Sequence, residues 1–168
     1  MKTAFIVLIA AFSLGGCAGY RLGDVKPHHL REIESIAVPM FRNQTYTPRV
    51  EALVSSSVIK QLQQDGTYRI STAENADAVL EGTVVAVSRR PVRSVRGNVL
   101  ATREFNLAVT VTYRLRSKNG NVAVGPASIA GTTSFFVGSD VTTDERQALP
   151  LAAEDLAVRL VSQLSEGW

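Results

Sequence analysis

The sequence predicts an α+β fold. Two helices should pack on one face of a small, mostly antiparallel four-stranded sheet, in the order strand, helix, three strands, helix. Three observations carry this expectation. Phe105, Leu107, Val109, Val111, Tyr113 and Leu115 alternate with Glu104, Asn106, Ala108, Thr110, Thr112 and Arg114, a period of two that gives a strand one buried and one wet face. Val50, Leu53, Val54, Val58 and Leu62 recur at three- and four-residue spacing, the stripe of an amphipathic helix. Leu149, Ala153, Leu156, Leu160 and Leu164 repeat that stripe near the end of the chain. Two apolar stripes beside one apolar strand face call for helices layered on a sheet.

The chain opens with Lys2, an apolar run over residues 4–14, and Gly15-Gly16 before Cys17. A basic start, a short apolar core and a small-residue exit describe a secretory signal peptide, and the run is too short to span a bilayer. Leu14-Gly15-Gly16-Cys17 resembles a bacterial lipobox. That resemblance implies a diacylglycerol on the Cys17 thiol, cleavage before it, and acylation of the new amine, palmitate being a typical acyl group. Two or more acyl chains hold a protein stably at a membrane where one does not. The competing reading, a free thiol in an oxidising compartment, is a liability for a secreted protein. Ala18 in place of Asp favours sorting to the outer membrane, on its periplasmic side. The expected boundaries are a signal peptide over residues 1–16, a lipidated tether over 17–35 and one domain over 36–168.

Loss of residues 1–16 leaves 152 residues, with 17 basic against 15 acidic side chains. That length suits one domain able to bury its own core without disulfides. The charge is too nearly balanced to argue for nucleic acid. No second apolar segment is long enough to cross a membrane as a helix.

Gly19, Gly23 and Pro27 interrupt any pattern in the tether, and His28-His29 has no further ligand at metal spacing, so no metal or cofactor is expected. Ile36-Ala37-Val38-Pro39-Met40-Phe41 reads as a strand ended or edged by Pro39. Asn43-Gln44-Thr45 is a polar turn. Thr47-Pro48 supplies an N-cap and a first-turn proline for a helix running to about Gln64, closed by Asp65-Gly66. Residues 68–70 are a short extended piece. Strands follow over residues 78–90, 103–116 and 127–137, with Asn119-Gly120 as a tight turn. The last helix covers about 143–166, capped by a Thr142–Glu145 box. Pro150 requires either a kink or a main helix beginning near Leu149.

The sequence contains no Gly-rich phosphate loop, nucleophile elbow, CxxC or HExxH, so no enzyme is expected. Glu154-Asp155 and Asp144-Glu145 are adjacent on a helix, where neighbouring side chains diverge. One stretch suggests a ligand. Arg89-Arg90-Pro91-Val92-Arg93-Ser94-Val95-Arg96 places four arginines in eight residues at a strand connection, with Arg103 close behind. Guanidinium forks suit phosphates and carboxylates, and the interleaved Pro91, Val92 and Val95 suit acyl chains. At a membrane, lipopolysaccharide combines both chemistries. The plain alternative is a solvated basic hairpin or a charge-guarded edge.

Gly16-Cys17-Ala18-Gly19-Tyr20-Arg21-Leu22, then Ile36-Ala37-Val38-Pro39-Met40-Phe41-Arg42-Asn43-Gln44-Thr45, resembles the start of the lipopolysaccharide-assembly lipoprotein family, LptE. Residues 74–84, with Asp77-Ala78 leading into a strand, resemble its middle, and the helix reaching Trp168 fits its end. The resemblance implies two helices on a four-stranded sheet. It also implies a plug inside the outer-membrane β-barrel LptD, aid to that barrel's assembly, and help in delivering lipopolysaccharide to the cell surface. A polar strand face such as Thr110 and Thr112 suits a plug. No catalytic residue and no ligand position transfers from the family, so Arg89, Arg90, Arg93 and Arg96 rest on their own chemistry. The opening strand also resembles curli-secretion components and activators of peptidoglycan synthases, which would make this an envelope lipoprotein acting through protein partners.

Overall fold

Residues 103–117 form an interior strand of the sheet, and their alternation is realised from Leu107 to Leu115. The computed structural model describes residues 26–93, 103–138 and 140–167. Strands β1 (Ser35–Ala37) and β2 (Arg42–Asn43) are followed by helix α1 (Val50–Asp65). Strands β3 (Arg69–Ile70), β4 (Ala78–Arg93), β5 (Arg103–Ser117) and β6 (Val122–Val137) lead to helix α2 (Val141–Ser165). Leu107, Val109, Val111, Tyr113 and Leu115 of β5 are buried, with the intervening residues partly or fully exposed.

The sheet departs from the expected four strands. It has six, in the order β3-β1-β4-β5-β6, with β2 joining β4 farther along. β1 lies parallel to β3 and β4, β2 is parallel to β4, and only β4–β5 and β5–β6 are antiparallel. The sheet is therefore mixed. Pro39, lacking a backbone donor, falls between β1 and β2, so pairing in the stretch read as one strand stops at Ala37 and resumes only past it, at Arg42. The loss is offset by the Phe41 N–H, which donates to the Ser55 hydroxyl at 2.9 Å, and by the Phe41 ring, which lies against Gly82 where a Cβ would clash. Packing starts before β1: Leu30 and Ile33 belong to the buried core.

Asn43 organises its turn as expected, its Oδ1 accepting from the Thr45 N–H and hydroxyl at 2.8 Å each. The start of α1 differs. The helix begins at Val50 behind Arg49, which has φ 63° and provides no side-chain cap, so Thr47-Pro48 forms the turn before it. Its end agrees: Gly66, at φ 77°, donates its N–H to the Leu62 carbonyl.

The β5–β6 turn has the Gly120 N–H on the Ser117 carbonyl at 2.8 Å. β6 begins at Val122 rather than 127, and pairs on past a register shift beside Gly125-Pro126. α2 packs on β5, β6 and α1, so both helices cover one face. It begins earlier than expected and runs through Pro150, whose ring sits on the exposed side. Loss of one backbone bond there costs about 3 kcal/mol. Ten buried residues from Ala148 to Ser165 oppose that cost. The cap is Asp140, accepting from the Thr142 and Thr143 N–H groups at 3.0 and 3.4 Å. The Thr142–Glu145 box does not form, because Glu145 is engaged elsewhere.

Candidate functional site

The arginine stretch is the rising end of β4 and its connection to β5. Antiparallel pairing continues to Arg93 opposite Glu104. Adjacent residues on a strand point to opposite faces, and this divides the arginines. Arg89, opposite Leu107, turns to the helix side. Its Nη1 donates to Glu145 Oε2 at 2.7 Å, and its guanidinium lies 5.5 Å from the Phe105 ring centroid. Phe105 in turn stacks on Phe135, centroids 6.0 Å apart. Arg89 thus joins the hairpin to the first turns of α2.

Arg90, opposite Asn106, takes the face that no helix covers. It is exposed and has no ion-pair partner among the described residues. Pro91 and Val92 are exposed beside it, Val92 to 53%. The ladder places Arg93 opposite Glu104, and Glu104 opposite Phe136 of β6. Phe136 is 62% exposed, unusual for so large an apolar ring. Arg96 lies outside the described residues, as do the lipidation residue Cys17 and the Gly19–Leu22 stretch. Arg89 and Arg90 therefore turn to opposite faces of the sheet. Arg89 is structurally engaged, and Arg90 shares its end of the uncovered face with Phe136.

Sequence reasoning missed Phe136. The signal was available: Phe135 and Phe136 are consecutive in a strand, so one must leave the core.

Below this end, the uncovered face is lined by small and hydroxyl side chains. Thr83, Ala86 and Ser88 align with Thr112, Thr110 and Ala108, and these with Ser128, Ala130 and Thr132. These side chains are small and largely polar, suited to many modest contacts with another surface. Among the described residues, no three His, Cys, Asp or Glu side chains stand together as metal ligands. No described helix is long and apolar enough to cross a membrane.

The model of one protein family, LptE, lipopolysaccharide assembly, matches residues 33–164. The chain belongs to this family. None of the curated proteins compared with it matches. Among solved structures it is similar to PelC from Paraburkholderia phytofirmans, solved as a dodecamer, with 25% identity, TM-score 0.51, and coverage of 79% of this chain and 88% of that one. It is also similar to a minor lipoprotein of Acinetobacter baumannii (17% identity, TM-score 0.54, coverage 81% and 95%). A Xanthomonas campestris protein aligns at 14% identity and TM-score 0.52, covering 80% and 85%. The latter two likenesses are of fold alone. The family match supports an envelope lipoprotein concerned with lipopolysaccharide assembly.

Proposed function

We propose that this protein is an outer-membrane lipoprotein, anchored through Cys17 on the periplasmic side, that plugs the lipopolysaccharide-transport β-barrel LptD. In that place it helps the barrel assemble and helps deliver lipopolysaccharide to the cell surface. The observation that carries the reading is the family match across residues 33–164. The uncovered face supports it, since a plug meets its barrel through many moderate polar contacts. Arg90, Val92 and Phe136 add a basic and apolar end to that face, chemistry matched to phosphate beside acyl chains. Arg93 and Arg96 are proposed as ligand contacts on their charge and sequence position alone, while Arg89 contributes through its hold on the hairpin. The role is one of assembly and delivery, with no catalysed reaction.

Depleting the protein in its own host tests the role. Lipopolysaccharide in the outer leaflet should fall while unrelated outer-membrane barrels keep their normal level. An unchanged outer leaflet would contradict the proposal.

A second reading, an oligomeric envelope lipoprotein acting through protein partners, is favoured by the likeness to the PelC dodecamer. The mass of the purified protein without partner separates the two: a ring of many copies supports the second reading.

A further inference from the structure

A second charged feature lies on the uncovered face, eight residues down β4 from the arginine hairpin, or roughly 25 Å at the rise of a strand. Glu81 of β4 there meets two arginines of β5. Arg114 Nε donates to Glu81 Oε2 at 2.6 Å, and Arg116 pairs with the other oxygen. Arg42 of β2 stands beside them, in register with Thr83, and has no hydrogen bond or ion pair of its side chain among the described residues. Three guanidiniums against one carboxylate leave two positive charges uncompensated. One carboxylate cannot satisfy three forks of donors.

Arg42, Arg114 and Glu81 line a cleft of about 450 Å³, within the size range of small-molecule sites, with Arg116 reaching it only through Glu81. Its floor carries the hydroxyls of Thr83 and Thr112. Its walls are apolar: Pro39 and Met40 rise on one side, and Pro126, at the register shift of β6, on the other. Met40 is 68% exposed, one of few described large apolar side chains so open to solvent. Convergent donors, a hydroxyl floor and apolar walls are the makings of a ligand site rather than of a solvated surface.

We propose that this cleft binds a phosphate monoester carried on a compact polyol such as a single sugar. The phosphate, carrying about −1.5 to −2 charge, matches the two uncompensated positive charges, with Arg42 and Arg114 as its forked donors. The polyol fills the volume that a bare phosphate leaves, its hydroxyls toward Thr83 and Thr112 and its C–H faces toward Pro39, Met40 and Pro126. Glu81 is a positioning residue, holding Arg114 in place while Arg116 shares its charge. The inference stands on this geometry and not on the role proposed above.

Met40 offers a direct readout, being one of two methionines in the chain. The full chain in detergent, labelled with ¹³C at the methionine methyls and assigned with Met40→Leu, is titrated with glucosamine 6-phosphate, inorganic phosphate and glucosamine. The expected result is a saturable Met40 shift with the sugar phosphate, at least about tenfold weaker with phosphate alone and absent with glucosamine. Arg42→Gln, which unpairs no other group, should weaken binding by about tenfold or more. Lys60→Gln, on helix α1 and outside both proposed sites, should leave it unchanged. Equal binding of phosphate and sugar phosphate would overturn the polyol part. No saturable shift, an unaffected Arg42→Gln variant, or loss of binding in Lys60→Gln would overturn the site.

Discussion

Arg89 and Glu145 tie the arginine hairpin to the long C-terminal helix: their side chains meet at 2.7 Å, 40% and 27% exposed, across 56 residues of sequence. The pair follows from two local facts. Period two in β4 sends Arg89 to the helix side, and the cap by Asp140 sets the helix register that aims Glu145 back at it. An ion pair this accessible contributes about 0.2–1 kcal/mol, so its main effect is to fix where the hairpin leaves the domain.

Reversing Arg89, Arg90, Arg93 and Arg96 to Glu should weaken lipopolysaccharide binding while the fold persists. Adding Glu145→Arg restores the cross-element pair, so it should recover the small loss in melting temperature caused by Arg89→Glu and leave binding weak. Binding to immobilised lipopolysaccharide and thermal melts measure the two effects separately. Unchanged binding in the folded quadruple variant would reduce the arginines to a charged hairpin.

A side chain at Gly131 has no room. A Cβ there would run into the Ala152 carbonyl and the Leu156 backbone of α2, so the helix rests directly on β6 at this point. Gly131→Val should therefore destabilise the domain by about 1–3 kcal/mol or more, lowering the melting temperature by at least a few degrees. A wild-type melt would show that α2 is not seated there.

Asp77 makes stability depend on acid. Its Oδ2 accepts from the Ser35 hydroxyl at 2.7 Å and the Ser35 and Glu34 N–H groups at 2.9 and 3.1 Å. These bonds, the Ser35 hydroxyl first, hold its pKa below the ordinary value. A depressed pKa in the folded state adds stability that is fully present above the unfolded value of about 3.9 and lost as pH falls through the folded one. Asp77→Asn should melt a few degrees lower at neutral pH, and the gap should close as pH falls below about 4. Melts from pH 3 to 7 check it; a constant gap would contradict it.

Cys17→Ser should block lipidation and leave the precursor uncut at that site. Intact mass of the membrane-extracted protein reads both. A lipidated mass in the variant would remove the anchor from the account.

The alternation of β5, both helix stripes and the Gly66 stop were legible because each is set by local periodicity or by one residue's backbone freedom. So was the extended piece at residues 68–70, which is β3. The two-residue strand β2 was not, since it exists because a parallel neighbour supplies its bonds, which no local pattern announces. The two helix starts were misread for a related reason. Thr47-Pro48 and Thr142–Glu145 have the right chemistry, but Asp140 takes the first donors of α2, and α1 starts behind Arg49 with no side-chain cap at all. At the site, the charge of the arginine stretch was plain from composition. Its division between two faces followed from strand period alone, whereas Arg42 joining Arg114 and Arg116 required the parallel β2–β4 pairing.

The central claim is tested most directly by purifying the protein in mild detergent from native outer membranes and identifying what accompanies it by mass spectrometry. The account predicts a stoichiometric LptD-type lipopolysaccharide-transport barrel. A peptidoglycan synthase, a secretion pore, a ring of identical copies or no partner at all would contradict it.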